Sequence, residues 1–423
     1  MGIRIFFFLA CIIITGLCRV NVHAQSKRLN IKSYGAKGDG KTDDSPAFDK
    51  AVAVLAKAGG VLEIPYGRYY ISRPIYVNSN SAGSIQIKGI VKGGNRPVIK
   101  SSNFINLIYI EGDAHKPAMD VAVKYVQVEG NNVPYTAKHP YYDVPNSYRI
   151  GIGVINCKSV SIEQCVVKNV YGQGIYIGNT LFHDAPVGDR VKKMLLNKNQ
   201  IFNTWGLNPT PDGGLYDEYG DGIYVNNVAS GKITGNIVRN DLRYTRQFGR
   251  AGIVLEYNVE NVEVVNNTVS GYDRNIHVEE DLGNISILNN KLTGSDFGIL
   301  IWNSGRRKIG PIYVKDNFVS NENIPSGLSL KTVRNRGERS LISLESDKAC
   351  RQGSVISGNT LSITGESGLV SDIVLRNLEE GVAISKNSYK PIKLNAKIKP
   401  QINLNERKNR VSGNNFPSEM LKK

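Results

Sequence analysis

A five-residue pattern, Gly-Ile-x-aliphatic-x, returns again and again through the middle of this 423-residue chain. Copies stand at residues 174–178, 222–226, 252–256, 275–279 (with Asn275 in place of glycine) and 298–302. The second and fourth residues of each copy are branched and apolar, which is the alternation of a strand with one buried face. From the first copy to the last, the third positions read Tyr, Tyr, Val, His, Leu and the fifth read Gly, Asn, Glu, Glu, Trp. A constant inner face with a chemically varied outer face describes a repeated scaffold that carries a site.

Asparagine supplies the second periodic signal. Short apolar strands flank Asn236, Asn267, Asn290, Asn317 and Asn359, and the first four of these are 31, 23 and 27 residues apart. Periods of roughly 20–50 residues mark solenoids. Asn tolerates left-handed backbone angles and bonds to its neighbours, so one asparagine per coil at the same corner would build a ladder. Each coil can bury its apolar face only by stacking on the next, so one elongated all-β body is expected despite the length. A single coil reads as a strand at 252–256, a second at 262–265, a corner at Asn266-Asn267, a third strand at 268–270 and a lead-in at 271–274. Two long corners, 204–221 and 241–250, lead into the opening strand from the same side, where long loops tend to carry function.

The chain begins with Arg4, an apolar run over residues 5–17, and Val22-His23-Ala24 before Gln25. That is the layout of a secretory signal peptide cleaved near Ala24, and the run is short for a membrane span. Leu17, ahead of Cys18, is too large for a lipid-attachment site. The expectation is a secreted or periplasmic protein without membrane insertion. Net charge is +16, or +14 without Arg4 and Arg19. A basic exported protein suits an acidic polysaccharide. Lys and Arg are scattered without a basic helix or interleaved aromatics, so nucleic acid is not an expected partner. Cys157, Cys165 and Cys350 would remain after processing. The first two read as buried small hydrophobes, with a disulfide between them as the alternative. Nothing in the sequence sets the oligomeric state.

After the leader, Tyr34-Gly35-Ala36, Gly38-Asp39-Gly40 and Thr42-Asp43-Asp44 precede a helix with Ser45 as N-cap and Pro46 at its first position. Gly59-Gly60 ends the helix, and Val61-Leu62-Glu63-Ile64-Pro65 and Gly67-Arg68-Tyr69 follow. This stretch resembles the N-terminal signature of the pectate lyase and rhamnogalacturonase superfamily, whose members include hydrolases, lyases, epimerases and phage tailspikes. The resemblance implies a right-handed parallel β-helix with this helix plugging its N-terminal end. The organisation expected is a signal peptide at 1–24, a strand–helix cap at 25–80, the β-helix at 81–390 and a C-terminal capping segment or tail at 391–423. Catalytic residues do not transfer. Where the family's polygalacturonases carry Asn-Thr-Asp, Asp-Asp, Gly-His-Gly and Arg-x-Lys, this chain has Tyr219-Gly220-Asp221, Arg250-Ala251-Gly252, Asp273-Arg274-Asn275 and Asp296-Phe297-Gly298. Only Asp221 matches. The Asp-Pro-His motif of alginate epimerases is absent.

Parallel strands lie about 4.8 Å apart, so equal positions in successive copies stack. Asn226, Glu256, Glu279 and Trp302 then form one outer row. Tyr224, Val254, His277 and Leu300 form the row beside it, with Asp221, Arg250, Asp273 and Arg274 at the margin. Two neighbouring glutamates can set their carboxyls about 5–9 Å apart, the glycosidase range. The first expectation is therefore hydrolysis of an extracellular, uronate-containing polysaccharide by Glu256 and Glu279. His277 and Asp221 would assist, Tyr224 and Trp302 would stack on sugar, and Asn226, Arg250, Asp273 and Arg274 would line the site. That chemistry requires no cofactor. The alternative is lyase or C5-epimerase action, with Ca²⁺ held by Asn226, Glu256 and Glu279 and with His277, Tyr224 or an arginine as base. A weaker Ca²⁺ candidate is the acidic loop with Asp212, Asp217, Glu218 and Asp221. A third reading is a non-catalytic glycan-binding β-helix.

Overall fold

The alternation in the repeat becomes three parallel sheets wound as successive faces of one coil. The computed structural model describes residues 27–415 other than 80–82, 132–148, 207, 210–214, 217–219, 246–247, 296, 304–308, 323–338, 347–350, 363–369, 378–380 and 390–408. The expected leader at 1–24, Cys350 and the acidic-loop residues Asp212, Asp217 and Glu218 lie outside the described residues. One face is a 13-stranded parallel sheet from Arg28–Asn30 to Arg410–Ser412. The other two merge into a single network, because Val166–Gly178 runs without a break from one face onto the next.

The site-bearing coil matches its parse except that both opening strands start earlier, the lead-in at 272–274 being already part of strand Tyr272–Glu279. Val262–Val265 and Thr268–Ser270 are strands, but the opening strand is Gly249–Glu256, three residues longer than the motif. Gly222, Gly252 and Gly298 sit at the bend where the chain passes onto this face. A methyl group there would lie 2.2, 2.2 and 2.1 Å from a core methyl of Val238, Val269 and Val319, so only glycine fits. Inside the coil Ile253, Leu255, Ile276, Val278, Ile299 and Ile301 are fully buried in one continuous core.

The asparagine ladder is longer than the sequence pattern suggested. It runs through Asn199, Asn236, Asn267, Asn290, Asn317, Asn359, Asn387 and Asn414, and each side-chain amide donates to the next side-chain oxygen at 2.9–3.0 Å. The backbone N–H of each donates to that same oxygen. The left-handed residue at this corner is the one before the ladder asparagine, as at Lys198, Asn266, Asn289, Asp316 and Lys386. The ladder position is thus chosen for hydrogen bonding and its predecessor for the turn.

Helix Ser45–Ala58 puts Ala47, Phe48, Ala51, Val52 and Leu55 into the same core and packs on strand Ile75–Asn78 beside the first strands of the stack. Ser45 is its first helical residue rather than its N-cap. The Ser45 hydroxyl donates to Asp43 Oδ1 and accepts from Ser72 N, while Asp44 accepts from Lys37 N and Gly38 N. The Asp43-Asp44 pair of the signature thus ties the Gly-rich turn to the helix start. Cys157 and Cys165 are separate buried thiols, so the disulfide alternative does not hold.

Candidate functional site

The two outer rows form in the expected register. Asn226 pairs with Glu256, Glu256 with Glu279, and Glu279 with Trp302; Tyr224, Val254, His277 and Leu300 pair likewise. The next strand, Arg339–Ser346, adds Glu345 beside Trp302 and Ser343 beside Leu300. Over this face lies a cavity of about 390 Å³ lined by Arg250, Glu256, Tyr257, Arg274, His277, Glu279, Leu300, Trp302 and Glu345.

Most of the functional groups are withdrawn from solvent. Glu256 is 3% exposed and His277 1%, whereas Glu279 opens more to the cavity. His277 Nε2 is hydrogen bonded to Glu279 Oε2 at 2.7 Å and lies 3.8 Å from Glu256 Oε1. One ligand atom from each of Glu256, His277 and Glu279 falls within 4.8 Å of the others. Arg250 Nη2 lies 3.2 Å from Glu256 Oε1, yet that buried oxygen has no hydrogen bond of good geometry among the described residues. An acceptor left bare at a cavity wall is costly to bury and suits an incoming donor.

Four expected residues lie behind this wall rather than on it. Asp221 is fully buried and accepts a two-pronged bond from Arg250, at 2.8 Å from Nε and 2.9 Å from Nη2. It orients Arg250 and does not reach the cavity. Asn226 folds over Gly178, where its Oδ1 accepts from Asn179 N and Asn227 Nδ2 and its amide donates to Tyr176. Those bonds use up the oxygen that a Ca²⁺ ligand would need. Tyr224 is covered by the Tyr176 ring at 5.1 Å and by the Arg250 guanidinium at 5.7 Å, so it offers no open face for a sugar. Asp273 is buried against Arg274 at 3.1 Å. Arg250, too, has its fork engaged with Asp221 and is not placed to clamp a substrate carboxylate.

Burial and charge act in opposite directions here. Burial alone would lower the Arg250 guanidinium, but the charges of Asp221 and Glu256 outweigh it and hold it well above its ordinary value. Burial pushes the Asp221 carboxyl up, and Arg250 opposes that. Burial, then the Glu256 charge, pushes the Tyr224 phenol well above 10. The same two causes, with Glu279, push Tyr257 up to about 12. Neither phenol is poised as a base. Arg250 also places a positive charge 3.2 Å from the Glu256 oxygen a cation would need, which works against a metal at this trio.

Residues 28–205 match the family described as rhamnogalacturonase A/epimerase, pectate lyase-like. A glucan 1,3-beta-glucosidase of Cochliobolus carbonum is 28% identical over 214 residues, covering 42% of this chain and 26% of the relative. A probable rhamnogalacturonase A of Aspergillus oryzae is 25% identical over 164 residues, covering 37% and 34%. The chain therefore spans about a quarter to a third of the length of these relatives. Among solved structures, gene product 12 of bacteriophage phi29 superposes with a TM-score of 0.60 at 15% identity, over 93% of this chain and 56% of that one. The N-terminal signature and the parallel coil stack agree with that match: residues 28–205 resemble the pectate lyase-like, rhamnogalacturonase and epimerase superfamily, and the chain has the parallel β-helix fold of its structural neighbours.

Proposed function

We propose that this protein cleaves glycosidic bonds of a polysaccharide through Glu256 and Glu279. One observation carries the reading: a buried, unbonded Glu256 oxygen shares a cavity with a second glutamate, their nearest oxygens within 4.8 Å. Retaining glycosidases set their carboxyls about 5–5.5 Å apart, and inverting ones leave room for water at about 6.5–9.5 Å. The short separation supports retention. Glu279, more open and bonded to His277, gives its proton to the glycosidic oxygen as the bond to the anomeric carbon breaks. Glu256, held by Arg250, bonds to that carbon. Water then attacks the same carbon and returns a proton to Glu279 as the Glu256 ester breaks. The family match and the glucosidase and rhamnogalacturonase relatives support action on a glycan. Arg274 on the wall and the chain's basic charge support an acidic sugar, and the engaged Arg250 fork does not add to that support.

A panel of neutral and acidic polysaccharides, scored by product mass, tests the reading. Hydrolysis adds one water per cut. Glu256→Gln and Glu279→Gln should each lower kcat by at least about 10³-fold with unchanged circular dichroism. Unchanged activity in both would remove the site assignment. Proton NMR of the first product should show the anomeric configuration retained.

Elimination or epimerisation is the second reading, favoured by His277 standing between two carboxylates. Its base would be His277, since Tyr224 is shut in and held protonated. An unsaturated uronate absorbing in the ultraviolet, or activity lost on Ca²⁺ chelation, would decide for it. Glycan binding with no turnover of any panel member would leave the non-catalytic reading.

A further inference from the structure

The corner just after the site row asks for a left-handed residue on several coils. Asn156 and Asn227 fill it with a side chain that accepts this conformation readily. On the coil of Glu256 the same corner holds Tyr257 at φ 49°, and on the next coil Glu280 at φ 54°; of the two, the aromatic is the one that lines the cavity, and the left-handed region is uncommon for so bulky a residue. Strain of this kind persists only where the surroundings impose it, and it gathers at functional sites. The surroundings are identifiable. The turn after Gly178 sends Phe182, itself at φ 47°, and His183 against the Tyr257 ring, with centroids at 6.1 and 4.0 Å. The Phe182 carbonyl accepts from the side-chain amides of Asn227 and Asn258, and Arg190 closes the segment onto the Asn258 carbonyl and Glu260. Tyr257 is half-buried and lines the cavity with both glutamates. His183 is exposed beside it.

We propose that Tyr257, backed by Phe182 and His183, is a sugar-stacking subsite next to the two glutamates, fixing one ring of the glycan relative to the bond to be cut. The ligand class rests on the glycan-cleaving reading above. An aromatic face offers the C–H side of a sugar ring a flat apolar contact. A phenol kept protonated can also donate a hydrogen bond to a sugar hydroxyl. Trp302 lies two strands further along the row, so the cavity has an aromatic side chain towards each end.

Tyr257→Asn separates a binding role from a structural one, because it restores the residue this corner prefers. In the full chain it should leave Tm equal or higher while KM on the polysaccharide rises about tenfold, more than kcat falls. His183→Ala should raise KM about threefold without touching the strained corner. Affinity electrophoresis through the same polysaccharide gives a readout without turnover: Glu279→Gln should keep wild-type retardation, and adding Tyr257→Asn should weaken it about tenfold. A lowered Tm with unchanged KM and retardation would make Tyr257 a structural residue and overturn the subsite. If Glu279→Gln cleaves like wild type while Tyr257→Asn still weakens retardation, the cleavage reading fails and the subsite stands. If no glycan retards the wild-type protein, the subsite falls.

Discussion

Arg250 holds the site together at the level of single residues. Its guanidinium ties Asp221, from one long corner, to Glu256, and it roofs Tyr224. Removing one partner of a buried pair strands the other, at about 3–5 kcal/mol. Arg250→Ala should lower unfolding stability by about that amount, discounted for the partial exposure of Arg250, and abolish turnover. Arg250→Lys keeps the charge but loses the fork, so it should recover stability better than activity; equal recovery of both in urea melts and kinetics would rule out a positioning role. The glutamates and His277 were legible in the sequence because strand alternation assigns positions to faces. The depth of Asp221, Asn226 and Tyr224 was not, since it follows from how corners fold over neighbouring coils. Tyr257 escaped notice because it stands one place past the repeated pattern, on a corner. Its only sequence signal is an aromatic at a corner where several other coils have Asn.

At the scale of the coil, hydrogen-bond economy decides which positions tolerate change. Asn267 accepts from Asn236 through both backbone and side chain and donates to the Ile233 carbonyl and to Asn290. Asn267→Ala would orphan several buried groups, for a loss on the order of 3–5 kcal/mol. Asn414, last in the ladder and less buried, should cost far less when replaced by alanine. Chemical denaturation of the two variants measures the gradient, and equal losses would show that the ladder does not act through burial. The ladder was readable where Asn recurred between apolar strands. Strand Arg339–Ser346 was missed because Leu341 replaces the glycine of the motif, so Glu345 went unseen with it.

The whole molecule titrates from both ends. Against a burial penalty, hydrogen bonds from Ser72 and Ser45 hold the Asp43 carboxyl at about 2. That stability is present above pH 3.8 and is lost as pH falls toward 2. In the other direction, burial pushes Cys157 and Cys165 from 9.0 to about 12 and Tyr69 and Tyr257 from 10.0 to about 12. Above pH 9 the unfolded chain gives up protons that the folded one keeps, so stability declines from there to about 12. Tm against pH should therefore show a plateau between about pH 4 and 9 with a fall on each side. A flat profile from pH 9 to 11 would mean the buried phenols and thiols reach solvent. The elongated body and its parallel sheets were plain in the periodicity, since a 20–50-residue repeat admits few other folds.

The asparagine ladder also restricts how such a chain can change over generations. Every rung but the last bonds to the rung after it, each donates to the backbone of the coil before it, and all rungs are chemically alike. Removing or duplicating one whole coil would rejoin like with like and leave the ladder continuous. An insertion of a few residues on the rung side would break contacts to both neighbours, whereas the same insertion in the corners that lead to Asp221 or Arg250 would leave every rung in register. Length in this molecule should therefore vary by whole coils, and novelty should gather in the corners that overlook Glu256 and Glu279.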